Sequence, residues 1–136
     1  MGRKRSDEKR KEALRQILHR MRENVIMDIE EQIGRHLDEA TSQKIDAAMD
    51  EGDVATLDLG EDVDYALLEM RYKTYKNIAD AFRRLNAGTY GICESCGTDI
   101  PVKRLEVEPF ARYCVPCLSR IEELEKVERE EDRFKD

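Results

Sequence analysis

CESCGTDIPVKRLEVEPFARYCVPC, residues 93–117, sets two Cys-x-x-Cys pairs seventeen residues apart. Two residues between cysteines let both sulfurs of a knuckle reach one metal, and the longer loop returns the second pair to it. Zn2+ accepts four thiolates tetrahedrally, and the filled shell leaves no position for water or substrate. Cys93, Cys96, Cys114 and Cys117 are therefore read as ligands of one structural, non-catalytic zinc ion. Gly97 eases the turn after the first knuckle. Lys103, Arg104 and Arg112 lie in the loop and would offset the negative charge of a four-thiolate site. The module has too few apolar residues to fold alone, so metal binding supplies its folding energy, on the order of 10 kcal/mol.

Working outward, the chain of 136 residues is 40% charged and 6% aromatic, with no Trp. That is too polar for one large compact core and suits long helices that bury a narrow stripe. The net charge of -7 disfavours general DNA binding, which normally shows a basic face. No apolar run approaches the roughly 20 residues of a membrane span. The start, Met1 to Lys11, is polar and basic and lacks the apolar core of a secretory signal. A soluble, cytoplasmic protein is expected, and in that reducing compartment paired cysteines are ligands rather than disulfides.

Upstream of the cysteines the pattern is helical. After a tail of residues 1–5, Ser6 is placed to cap a helix. Leu14, Leu18, Met21, Val25, Ile29, Ile33, Leu37 and Ala40 follow in steps of three or four, and Ile45, Ala48 and Met49 prolong the stripe. Gly34 costs about 1 kcal/mol relative to Ala but need not break a helix. Gly52 is the expected stop, and Asp53 a cap for the next helix. The second stripe is Leu68, Tyr72, Tyr75, Ile78, Phe82 and Leu85, ended by Gly88. Its helix begins at Asp53, the preferred reading, or only near Asp62. The early start gives helices of about 43 and 35 residues, roughly 65 and 52 Å long, which can pair as an antiparallel hairpin. The surplus of the first helix would then lie beside the finger and the last helix.

The expected class is mainly α: a long antiparallel coiled-coil hairpin, a small four-Cys zinc-finger module and a short C-terminal helix. The divisions are 1–87 for the tail and hairpin, with its tip near 50–55, then 88–118 for the finger and 119–136 for the last helix. Cys93 to Cys117 shows no helical period. Leu118, Ile121, Leu124 and Val127 mark the final helix, and its charged end, 128–136, is expected to fray. His19 and His36 stand about 25 Å apart on one helix and cannot share a metal.

No basic residue intervenes between Lys44 and Arg71, while Asp46, Asp50, Glu51, Asp53, Asp58, Glu61, Asp62, Asp64 and Glu69 fall in the gap. Like charges gathered at a hairpin end repel, and a helix C-terminus disfavours them further. Such a run is either a solvated turn or a surface kept for a purpose.

The run from Gly88 to Pro109, with Arg104-Leu105-Glu106 and Pro109 beside the knuckles, and then Tyr113-Cys114-Val115-Pro116-Cys117, resembles the DksA/TraR family of zinc-finger proteins. The resemblance implies a globular zinc finger carrying a long coiled-coil hairpin. It also implies direct binding to RNA polymerase without DNA contact. The acidic tip would enter the secondary channel and alter open-complex lifetime. That family's tip pattern, Asp-x-x-Asp-x-Ala, is matched by Asp50, Asp53 and Ala55. Glu61, Asp64 and Ala66 form the alternative, with Glu for the first Asp. Family members that act with the alarmone ppGpp carry basic side chains where this chain has Thr74, Asn77, Glu108 and Leu118, which argues against ppGpp synergy.

The leading expectation is thus a polymerase-binding transcription regulator. The alternative is a zinc-ribbon nucleic-acid-binding module or a structural protein-interaction module. No nucleophile–base pair, phosphate loop or open metal site is present in the sequence, so an enzyme is not expected.

Overall fold

The computed structural model describes residues 2–60 and 62–134. It consists of α1 (Gly2–Ile33), α2 (Glu39–Asp50), a single 3-10 turn (Val54–Thr56), α3 (Tyr65–Ala87), α4 (Val102–Val107) and α5 (Val115–Arg133). The mainly α class holds; the only β feature among the described residues is an isolated bridge between Ile92 and Asp99. Among the described residues no helix is long and apolar enough to cross a membrane. The chain divides into two compact units. One is continuous, Leu18–Arg83; the other joins the residues up to Ile17 to those from Arg84 onward.

The continuous unit is built on the two stripes read from the sequence. Val25, Ile29 and Ile33 of α1 meet Leu68, Tyr72 and Ile78 of α3 in one core. The two helices are antiparallel: Gln32, near the end of α1, donates to the Asp64 carbonyl at 2.8 Å and accepts from Arg71 at 2.9 Å. Ile45 of α2 and Val54 of the 3-10 turn complete the core.

The first helix is not one continuous rod. It stops at Ile33 because Gly34 adopts φ +71, and its N–H closes the last turn on the Glu30 carbonyl at 2.9 Å. The Glu30 carboxylate receives the Leu37 N–H at 3.1 Å and pairs with His36 Nδ1 at 2.6 Å. Asp38 then restarts the helix, its Oδ1 accepting the Thr41 N–H at 2.7 Å. That hydrogen bond holds the Asp38 carboxyl below the usual carboxylate range. Beyond the break α2 runs beside α3 in the same direction, since Ser42 meets Tyr72 and Asp46 meets Lys76 four residues further along both helices.

Other boundaries differ from the sequence reading. α1 already includes residues 2–5, so Ser6 lies inside a helix and does not cap one. The third helix starts at Tyr65, not at Asp53. Asp53 precedes the 3-10 turn at φ -131 and makes no side-chain capping bond, whereas Asp64 Oδ1 receives the Leu67 N–H at 3.1 Å. Gly52 (φ +71) and Gly88 (φ +80) do end helices as expected. The finger contains a short helix, α4, which six residues between Pro101 and Glu108 were too few to announce as a period. α5 begins within the second knuckle and is helical to Arg133; of the end 128–136 expected to fray, residues 135–136 lie outside the described residues.

In the other unit, Leu14, Leu85, Tyr90, Ile100 and Leu105 are buried. Arg10 of α1 donates to the Gly91 carbonyl at 2.9 Å, and Tyr90 donates to the Pro109 carbonyl at 2.7 Å. The beginning of α1 therefore lies against the finger, as the surplus of the first helix was expected to do. Gly91 has φ +79, and a Cβ there would stand 3.0 Å from Arg10 Nη2 and 3.1 Å from Leu105 Cδ1. No other residue fits without moving its neighbours.

Candidate metal centre

The first knuckle is closed by backbone hydrogen bonds. Cys93 donates to the Thr98 carbonyl at 2.8 Å, and Gly97, at φ +75, donates back to the Cys93 carbonyl at 2.9 Å. The second knuckle is a helix start: Cys114 caps α5, Pro116 occupies its first turn, where no N–H is required, and the Leu118 N–H bonds the Cys114 carbonyl at 2.9 Å. Glu94 ties the two together, its N–H donating to the Arg112 carbonyl at 2.9 Å.

This construction brings all four predicted sulfurs within 4.8 Å of one another, with Cys96 and Cys114 at 3.8 Å. A tetrahedral Zn2+ with bonds of about 2.3 Å has sulfur–sulfur edges of about 3.8 Å. Cys93, Cys114 and Cys117 are buried and Cys96 is exposed. Four sulfurs this close cannot all be thiolates unaided. Burial works against the Cys93 thiolate, yet the backbone N–H groups of Cys114, Cys96 and Ser95 bring its pKa down to about 6. Cys117, hydrogen-bonded to the Cys114 side chain, is pushed up to about 12. A dication removes that conflict, and the positive end of α5 favours the same charge state. The donor set fits zinc, and the four cysteines form a closed site for one structural ion.

The charges around the site differ from those first expected. Arg112 is engaged by Glu94 at 2.7 Å, and Arg104 donates to the Tyr113 carbonyl at 3.2 Å. Their hydrogen bonds go to these partners and not to a sulfur. Arg120 instead places Nη2 3.8 Å from Cys117 Sγ, and the Thr98 hydroxyl lies 2.9 Å from Cys96 Sγ, bringing that thiol down. Sequence reasoning missed both. Arg120 was legible as the helical neighbour three residues beyond Cys117.

Among the described residues the acidic run forms no group of three or more carboxylates placed to hold a metal. Asp50 is the last residue of α2, and Asp53 and Ala55 flank and enter the 3-10 turn; all three are exposed. But α2 runs in the direction of α3, so Asp50 lies beyond the level of Lys76 and not at the end where α1 meets the start of α3, the place expected for a hairpin tip. Asp64 and Ala66 stand at the start of α3, also exposed, and Glu61 lies outside the described residues. Asp46 is paired with Lys76 at 3.0 Å. His19 pairs with Glu23 at 3.0 Å, so both histidines are surface partners of glutamates.

Residues 88–123 match the prokaryotic dksA/traR C4-type zinc finger. An uncharacterized protein of Aquifex aeolicus is 29% identical over 113 residues, 79% of this chain and 78% of the relative. The RNA polymerase-binding transcription factor DksA of Escherichia coli K12 is 29% identical over 114 residues, 82% of this chain and 71% of the relative. The solved structure of transcription factor DksA2 from Pseudomonas aeruginosa superposes with a TM-score of 0.59 at 29% identity, covering 88% of each chain. With the four sulfurs assembled, residues 88–123 form a finger of the dksA/traR C4 type, and the likeness to DksA proteins extends over most of the chain.

Proposed function

We propose that this chain is a non-enzymatic, cytoplasmic transcription regulator that binds RNA polymerase directly and presents an acidic segment to the secondary channel, changing open-complex stability. The likeness to DksA2 across 88% of the chain carries the reading, and the Escherichia coli relative is named for binding RNA polymerase. The acidic segment supports it further. Asp50 and Glu51 sit at the negative end of α2 with no basic residue in its last turn, an arrangement that costs stability. Asp50, Asp53 and Ala55 are the working residues in this reading, with Glu61, Asp64 and Ala66 as the alternative. The absence of a basic side chain at Thr74, Asn77, Glu108 and Leu118 supports action without ppGpp. A nucleic-acid face is poorly supported, because Arg104 and Arg112 are occupied within the finger.

The test is binding of the zinc-loaded chain to purified bacterial RNA polymerase, with the secondary channel open or filled by a competing occupant. Saturable binding that the competitor displaces is expected. Binding indifferent to the competitor would remove the channel, and absence of binding would remove the polymerase.

A further inference from the structure

Arg120, Leu124, Val127, Glu131 and Phe134 follow one another along the end of α5 in alternating steps of four and three. That is the spacing of a seam along which one helix packs against another. All five are exposed, and the apolar members strongly so: Leu124 61%, Val127 43% and Phe134 84%. A shallow cleft over this face is lined by Val127, Glu130, Glu131 and Phe134. The seams of α1 and α3, in contrast, are buried in the chain's own core.

We propose that this face of α5 pairs, antiparallel, with the same face of a second copy of the chain. The seam is complementary to itself in that direction. Centred between Leu124 and Val127, an antiparallel pair sets Leu124 against Val127 of the second copy and Arg120 against Glu131 of the second copy. The two-fold axis repeats each contact. A parallel pair would oppose Arg120 to Arg120 and Glu131 to Glu131, so the charges select the antiparallel direction. Arg120 can serve both neighbours, because only one of its five N–H donors faces Cys117 Sγ. On one flank of the seam Glu123 faces Glu130 of the second copy, twice by symmetry, which costs a few tenths of a kcal/mol each and keeps the pairing weak. The proposal is independent of polymerase binding.

Sedimentation velocity on the full zinc-loaded chain tests it. A monomer–dimer equilibrium with a Kd on the order of 100 μM is expected for so small an interface. Leu124→Glu and Val127→Glu should stay monomeric. Glu131→Arg should weaken dimerisation about tenfold through two like-charged layers, and Arg120→Glu combined with Glu131→Arg should restore it. Unchanged zinc content and helicity certify each variant, and the Glu131→Arg arm leaves the metal site untouched. A wild-type chain that remains monomeric at about 1 mM overturns the proposal, as does a Glu131→Arg chain that pairs as well as wild type.

Discussion

The Tyr72 hydroxyl donates to the Ser42 carbonyl at 3.0 Å and accepts from the Ser42 hydroxyl at 2.8 Å, pinning α2 to α3. Tyr72 is fully buried, so Tyr72→Phe keeps the ring packing and removes only these bonds. A loss of about 1–2 kcal/mol in urea unfolding is expected, with Ser42→Ala showing part of it. Tyr72→Ala should cost about 3–5 kcal/mol. Equal losses for Phe and Ala would mean that the hydroxyl, not the ring, holds the helix.

Gly34 sits at φ +71 with nothing within 4 Å of where a Cβ would be, so Gly34→Ala is strained by backbone conformation alone. The left-handed conformation costs a non-glycine residue about 1–2 kcal/mol, and Ala favours a continuing helix by about 1 kcal/mol more. Gly34→Ala should destabilise the folded-back arrangement while raising helicity at 222 nm. Gly34→Asn, which tolerates this conformation, should do little.

Burial pushes both Tyr72 and Tyr90 up to about 12, from 10.0. A raised value means that the folded chain holds the phenolic proton more tightly than the unfolded one. The stabilisation is complete below pH 10 and is lost as pH rises from 10 towards 12. Alkaline titration of denaturant midpoints should show this decline, and Tyr72→Phe combined with Tyr90→Phe should flatten it.

Zinc analysis should return one ion per chain purified under reducing conditions. Chelation should unfold the finger, including α4, while residues 18–83 keep their helicity, because their core contains no residue of the finger. Hydrogen exchange resolves the two regions. Uniform loss of protection throughout would show that the two units unfold as one.

Asp53→Asn and Asp64→Asn separate the two acidic segments. Asp53 makes no side-chain capping bond, so its substitution removes charge at little structural cost. Asp64 caps α3, but Asn caps as well as Asp. Asp53→Asn should hold polymerase affinity within a few-fold and abolish the change in open-complex lifetime. If Asp64→Asn alone is inactive, the working segment is 61–66. If neither matters, the acidic run is a solvated turn.

The metal site was legible to the residue because ligand spacing is a local property that zinc geometry constrains tightly. The two apolar stripes and the helix ends at Gly52 and Gly88 were legible for the same reason. The fold-back at Gly34 was not. Ile33, Leu37 and Ala40 keep helical spacing across the break, so periodicity reads the same whether the chain continues or doubles back. The signal present was Gly34 followed by Asp38, a stop and a cap. Gly52-Asp53 offers the same pair, yet there no α-helix follows until Tyr65. What separates the two is tertiary: Ile45 and Ala48 of α2 are buried, and Ser42 finds Tyr72.

The contact between Arg10 and Gly91 spans 81 positions, and that separation orders the birth of the molecule on the ribosome. Residues 18–83 are contiguous and can collapse as they emerge. The earlier segment, through Ile17, has no docking surface until the turn at Gly91 and the side chain of Leu105 have been made, and that surface is not fixed until Cys117 is available to the metal. Residues up to Ile17 are thus made before 18–83 and settle after them. A nascent chain stalled before Cys117 would carry a folded middle and an undocked beginning, and a pulse of protease should cut it ahead of Leu18.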